Sequence, residues 1–170
     1  VNIIKWHIIS FANVAYINNK NHKQVTFEGG YEGLKEKLNE LYLEENMPVA
    51  FLITGEFINI EYRSVPEQEK PYPSLTEVVA NQTIFFEESI SGTLVGFRFP
   101  QFMDDMNAVG YHLHFISDDR TKGGHVLNVD SDNVTVLGES LESLYVVFPD
   151  NIKDADIDVS DEDVEAVEKK

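Results

Sequence analysis

Cysteine is absent from this chain, which excludes disulfide staples and thiolate metal sites and leaves the redox compartment open. Long apolar runs are missing as well. Nothing approaches the roughly 20 residues a helix needs to span a bilayer, so no membrane partner is expected. Cations are scarce: Lys and Arg number 13 against 30 Asp and Glu, a formal net charge of −17. Such a chain repels a phosphate backbone, whose binding depends on clustered Lys and Arg, and nucleic acid is not an expected partner. No internal repeat, Gly-rich phosphate loop, Ser-His-Asp order or paired-carboxylate pattern is found. The chain starts at Val1 without a methionine or a signal-peptide pattern. It therefore reads as a processed or truncated product, with the cytoplasm as the expected compartment.

What is present is an ordinary globular composition, 42% hydrophobic and 11% aromatic over 170 residues. That suffices for one domain, or for two small halves sharing a core. Residues 1–16 are rich in β-branched and aromatic side chains and predict one or two buried strands. A polar turn follows at residues 18–23. Leu34, Leu38, Leu41 and Tyr42 recur at helical spacing, with Lys35, Glu36, Lys37 and Glu40 opposite, so an amphipathic helix is expected before Pro48. Residues 49–53 and 57–63 read as two strands of a hairpin turning at Thr54-Gly55-Glu56. Arg63, at the end of a mixed polar face, would on that pattern alone meet solvent. Three prolines make residues 64–73 an extended, stiff loop, and Ser74-Leu75-Thr76-Glu77 has capping-box spacing for a short helix to about Asn81. Residues 83–88 and 92–99 read as separate strands, with Gly96 leaving room for a close approach to the sheet. Residues 134–137 and 144–148 supply two more. From Asp150 onward nine acidic side chains face three lysines, the usual mark of a solvated tail. The class is sheet-rich α+β.

The chemistry concentrates at residues 110–127, where three of the five histidines fall. In Gly110-Tyr111-His112-Leu113-His114-Phe115-Ile116 the alternation of a strand puts His112 and His114 on one face and Leu113 and Phe115 on the core side. The run Ser117-Asp118-Asp119-Arg120-Thr121-Lys122-Gly123-Gly124 is a turn signal, and His125-Val126-Leu127 begins a returning strand. With the turn centred near Arg120, His125 lies opposite His114, and cross-strand partners share a face. Three converging imidazoles match a catalytic zinc site with an open position for water or substrate. Iron, nickel and manganese stay open on ligand type. His7 and His22 have no ligand-like neighbours and read as structural or solvated.

Three motifs in this order resemble one family: Arg63-Ser64-Val65-Pro66, Ser91-Gly92-Thr93-Leu94-Val95-Gly96-Phe97-Arg98, and the histidine segment from Gly110 to Leu127. Together they look like alpha-acetolactate decarboxylase, with the likeness running from about Val25 to the C-terminus. The resemblance implies a zinc enzyme that converts 2-acetolactate, a small-molecule substrate, into acetoin and carbon dioxide. Zinc would act as Lewis acid for an enediolate intermediate, held by His112, His114 and His125. Arg63 would carry over as the family's active-site arginine, reversing the solvent reading above, and could hold a carboxylate by paired hydrogen bonds. The implied fold is two related halves of largely antiparallel sheet with flanking helices, in a homodimer. The division is expected at residues 82/83, and the N-terminal half is incomplete.

The incompleteness has a chemical side. The family carries one active-site glutamate in an early Leu-Asp-Gly-Glu type segment, and no such segment occurs here. A second family glutamate comes from the extreme C-terminus, where Glu168 is the best match and Glu165 the alternative. It would deliver a proton to one face of the enediolate. Two rival readings differ in class. A cupin-type metal enzyme also uses His-x-His on a strand, but it places a glutamate a few residues later, where this chain has Ser117, Asp118 and Asp119. A catalytically impaired homologue would instead be a module that binds a metal, a small molecule or another protein.

Overall fold

The computed structural model describes residues 13–18, 20–69, 73, 75–104 and 106–147. The expected strands within residues 1–12, the tail from residue 148 and His7 lie outside the described residues. The element order is β1 (Lys23–Val25), α1 (Gly30–Leu41), β2 (Val49–Ser64), α2 (Leu75–Ala80), β3 (Thr83–Phe99), a 3-10 turn (Gln101–Met103), β4 (Gly110–Ser117), β5 (Gly123–Asp130) and β6 (Val134–Ser140). All the pairings are antiparallel, so the architecture is mostly antiparallel sheet with few helices. No described helix is long and apolar enough to cross a membrane.

The expected hairpin over residues 49–63 and the two strands expected over residues 83–99 are in fact single strands. Residues 49–64 form one strand, which runs through Thr54-Gly55-Glu56 because it is paired on both sides there: Gly55 lies opposite Gly92 of β3 and Val134 of β6. Residues 83–99 likewise form one strand paired along β2. The turn-like residues mark changes of neighbour and of face. The first half of β2, Val49–Gly55, pairs with β6, whereas Asn59–Arg63 pairs with β5. Between them, opposite Ile58, Ser89 takes a φ of 51°. The buried positions of β2 then shift from Val49, Phe51, Ile53 and Phe57 to Ile60 and Tyr62.

Since β5 returns to β2, the strands β2, β3, β4 and β5 close a ring around the core, while β6 and β1 extend the sheet from β2. Closure leaves an inner face packed with side chains and an outer face available for a site. Inside, Phe115 meets Phe57 edge-on at 5.8 Å and tilts against Tyr62 at 5.5 Å. The ring is narrow where β3 meets β4: a Cβ on Gly96 would lie 2.0 Å from the His112 carbonyl oxygen. The close approach expected at Gly96 is therefore that of the strand carrying the histidines.

Helix α1 buries Leu34 and Leu38, as their spacing predicts, and both its ends are fixed by the sheet. The Tyr31 N–H donates to Asn128 Oδ1 of β5 at 2.9 Å. At the other end the buried Arg98 guanidinium donates to Asn39 Oδ1 and to the carbonyls of Tyr42 and Glu44, at 2.9–3.0 Å, satisfying acceptors that a helix end leaves without partners. One expectation fails, and the described end of another is irregular. Residues 144–147 form no strand, and their side chains are exposed. Residues 13–16 are irregular, with Val14 and Tyr16 exposed. In both places β-forming residues occur outside the sheet, and propensity alone does not make a strand.

Candidate metal centre

The histidine hairpin folds as its local chemistry dictates. Asp119 Oδ1 accepts from Ser117 Oγ at 2.6 Å, Thr121 Oγ1 at 2.8 Å and the Thr121 N–H at 3.0 Å. These donors, Ser117 first, lower the Asp119 carboxyl to a pKa of about 2. Arg120 takes the left-handed conformation at φ 60°, and its N–H donates to the Ser117 carbonyl at 2.9 Å. The Ser117 N–H donates to the Lys122 carbonyl at 3.0 Å. With the turn fixed, the register follows: His114 stands opposite His125, Phe115 opposite Gly124 and Ile116 opposite Gly123.

The same rung continues on both sides. His114 pairs with Val95 of β3, and His125 pairs with Arg63 of β2. Directly opposed residues point to one face, so Val95, His114, His125 and Arg63 form a row around the outside of the ring. His112 joins from the next outward position, opposite Phe97. On the inner face Leu113, Phe115 and Val126 are buried, which anchors both histidine strands by alternation. The glycines permit the fourth strand to close in: a Cβ on Gly124 would fall 2.2 Å from the Arg63 carbonyl oxygen. Any larger residue at 124 would push His125 away from Arg63.

The three imidazoles do converge. The His112 and His114 Nε2 atoms face each other at 3.1 Å, and one ligand atom from each of the three rings lies within 4.8 Å of the others. Ring centroids are 4.7 Å apart for His112 and His125 and 5.5 Å for His114 and His125. Two nitrogens on a tetrahedral zinc at about 2.0–2.1 Å stand roughly 3.3 Å apart. The His112–His114 pair lies near that spacing, and the His125 ligand atom, within 4.8 Å of both, would have to draw in to reach it. The donor set, three neutral-capable nitrogens on one wall with His114 open to solvent and the others half-buried, fits a metal that keeps an exchangeable position.

Arg63 is buried rather than solvated. Its Nη1 donates to Gln82 Oε1 at 2.9 Å. Gln82 escaped the sequence reading because its relevance depends on the pairing of Arg63 with Ile84, which sets position 82 diagonally across on the same face. His22 is exposed, as expected. Glu168 and Glu165 lie outside the described residues.

The alpha-acetolactate decarboxylase family model matches residues 2–159. The alpha-acetolactate decarboxylase of Brevibacillus brevis is 37% identical over 82% of this chain and 49% of its own length. That of Methanosarcina mazei is 39% identical over 72% of this chain and 42% of its own. This chain thus spans about half the length of these curated relatives. Among solved structures, the alpha-acetolactate decarboxylase of Bacillus subtilis strain 168 superposes with a TM-score of 0.79 at 29% identity, over 90% of this chain and 67% of that one. A Staphylococcus aureus protein of unknown function, described as similar to alpha-acetolactate decarboxylase, gives a TM-score of 0.80 at 27% identity, over 88% and 65%.

Proposed function

As this chain belongs to the alpha-acetolactate decarboxylase family, we propose that it decarboxylates 2-acetolactate to acetoin and carbon dioxide at the three-histidine cluster, with zinc as the metal. The observation that carries this reading is the outer rung on which Arg63, His125 and His114 stand in register, with His112 beside them. It puts a permanent cation next to a nitrogen-only metal cradle, which is the pair of features a 2-hydroxy-3-oxo carboxylate requires.

His112, His114 and His125 would hold the metal, leaving its outward side for the substrate. When bound, zinc supplies Lewis-acid stabilisation for the electron pair left behind as carbon dioxide departs. Arg63 orients the substrate carboxylate by charge-assisted hydrogen bonds. Val95 and Phe97, paired with His114 and His112, give the substrate's methyl groups an apolar wall. Glu168 delivers the proton to one face of the product carbon, which makes a single acetoin enantiomer.

A homodimer belongs to the same reading. Its support is a band of exposed apolar side chains around the site: Leu52 and Val95 lie on the histidine rung, Ile116 beside it, and Ile84 and Phe86 beyond Arg63. A second copy covering these side chains would remove them from water.

The test is acetoin formation from racemic 2-acetolactate by the zinc-loaded chain, against a chelated sample and a His114→Ala variant. Zinc-dependent turnover that His114→Ala loses is the expected result. Zinc bound at one per chain without turnover would overturn the decarboxylase reading and leave a metal-binding homologue.

A further inference from the structure

Arg63 has to keep a fixed direction to serve an anion, yet arginine carries a long and flexible side chain. Its Nη1 is held at 2.9 Å by Gln82 Oε1. The position of Gln82 is itself determined from both sides. Its own N–H donates to the Val79 carbonyl at 3.1 Å, and the N–H of Asn81 donates to that of Val78 at 3.2 Å, so both residues continue the last turn of α2. Immediately after Gln82, β3 starts with Thr83 opposite Ser64, the residue that follows Arg63. The helix end and the strand start together set the amide beside the guanidinium.

The chemical type of the acceptor matters as much as its place. A carboxylate at position 82 would hold Nη1 equally well, and would also cancel part of the charge that attracts an incoming carboxylate. In a chain with 30 acidic residues and 13 basic ones, a glutamine contributes the acceptor and no negative charge. We infer that Gln82 is a positioning residue for Arg63: it fixes the direction of the guanidinium beside the histidine rung without reducing its pull on a carboxylate. This inference rests on the function proposed above.

The test uses the zinc-loaded chain and 2-hydroxy-2-methylpropanoate, a 2-hydroxy acid that lacks the 3-oxo group and cannot be decarboxylated, with binding followed by calorimetry. Gln82→Met keeps the side-chain length and removes the acceptor. It is expected to weaken the acid about tenfold, the factor that goes with one hydrogen bond to a charged group, while zinc affinity and thermal midpoint stay at wild-type values. Gln82→Glu keeps an acceptor but adds charge; it is expected to weaken the acid at low salt, with the gap from wild type narrowing as salt is added. If Arg63→Ala weakens binding and Gln82→Met does not, the role of Gln82 is overturned while that of Arg63 stands. If Arg63→Ala changes nothing, the proposed function loses its anion site and the inference falls with it.

Discussion

His114 lies open to solvent while His112 and His125 are half-buried, so the three ligands are open to different tests. Truncating His114 removes a ligand and little packing. His114→Ala should lower zinc affinity by more than the roughly 10- to 100-fold that follows loss of a mere supporting group around a metal, with the fold intact by circular dichroism. A variant that still binds zinc at wild-type strength would remove His114 from the cradle. Glu168 has the opposite signature. If it is the proton donor, Glu168→Gln should lower turnover by about 100-fold or more and leave zinc affinity within a factor of a few; unchanged turnover would pass the role to another acid. The period-2 alternation of residues 112–115 made the histidine face and the Leu113/Phe115 core face legible from sequence. Arg63 was not legible that way. Its burial depends on chain far away in sequence, the start of β3 and the end of α2, and only the family resemblance marked it.

At the scale of elements, what could be read was whatever the chain decides locally. The β4–β5 hairpin was legible because Asp119, Arg120 and the two glycines carry its turn within a few residues, and α1 because Leu34 and Leu38 share a stripe. The long strands β2 and β3 were not. Thr54-Gly55-Glu56 and the Ser89 region carry turn chemistry, and pairing with β3 and β6 in the first case and with β2 in the second overrides it. Two outcomes follow from the elements that hold the site. Gly124→Ala would set a Cβ 2.2 Å from the Arg63 carbonyl oxygen, so β5 must move off β2. Zinc affinity should fall even though no ligand is altered, whereas an unchanged affinity would mean that His125 does not depend on that contact. The second outcome concerns acid. Asp119 is lowered from 3.8 to about 2 by its turn donors, so its contribution is fully present above pH 4 and is lost as pH falls toward 2. The Thr121 amide proton resonance should titrate in that window and be flat in Asp119→Asn. A midpoint near 3.8 in the wild type would show that the turn does not favour the ionised carboxylate.

For the whole molecule, the ring closure that β5 makes with β2 was the least legible feature, since it joins residues 59–63 to residues 125–130 through no local signal. It also makes the metal centre a property of the entire ring. The candidate ligands stand on β4 and β5, the cation on β2 and its support at the start of β3, so folding and metal binding at the proposed site would be linked. Phe57→Ala tests this from the inside. The Phe57 ring is fully buried and meets Phe115 edge-on at 5.8 Å, and the neighbours of Phe115 in the chain are His114 and Ile116. The truncation should cost about 3–5 kcal/mol. If zinc binds the folded ring alone, as the proposed site implies, a free concentration of about 100 times its dissociation constant should return about 2.7 kcal/mol. The thermal midpoint of Phe57→Ala should therefore fall well below wild type without metal and recover by several degrees with it, at about 2–4 °C per kcal/mol for a chain of this size. Adding His125→Ala should abolish the recovery without deepening the fall. If zinc instead rescued the double variant equally, its stabilisation would come from somewhere other than the histidine rung, and the coupling between the core and the site would be refuted.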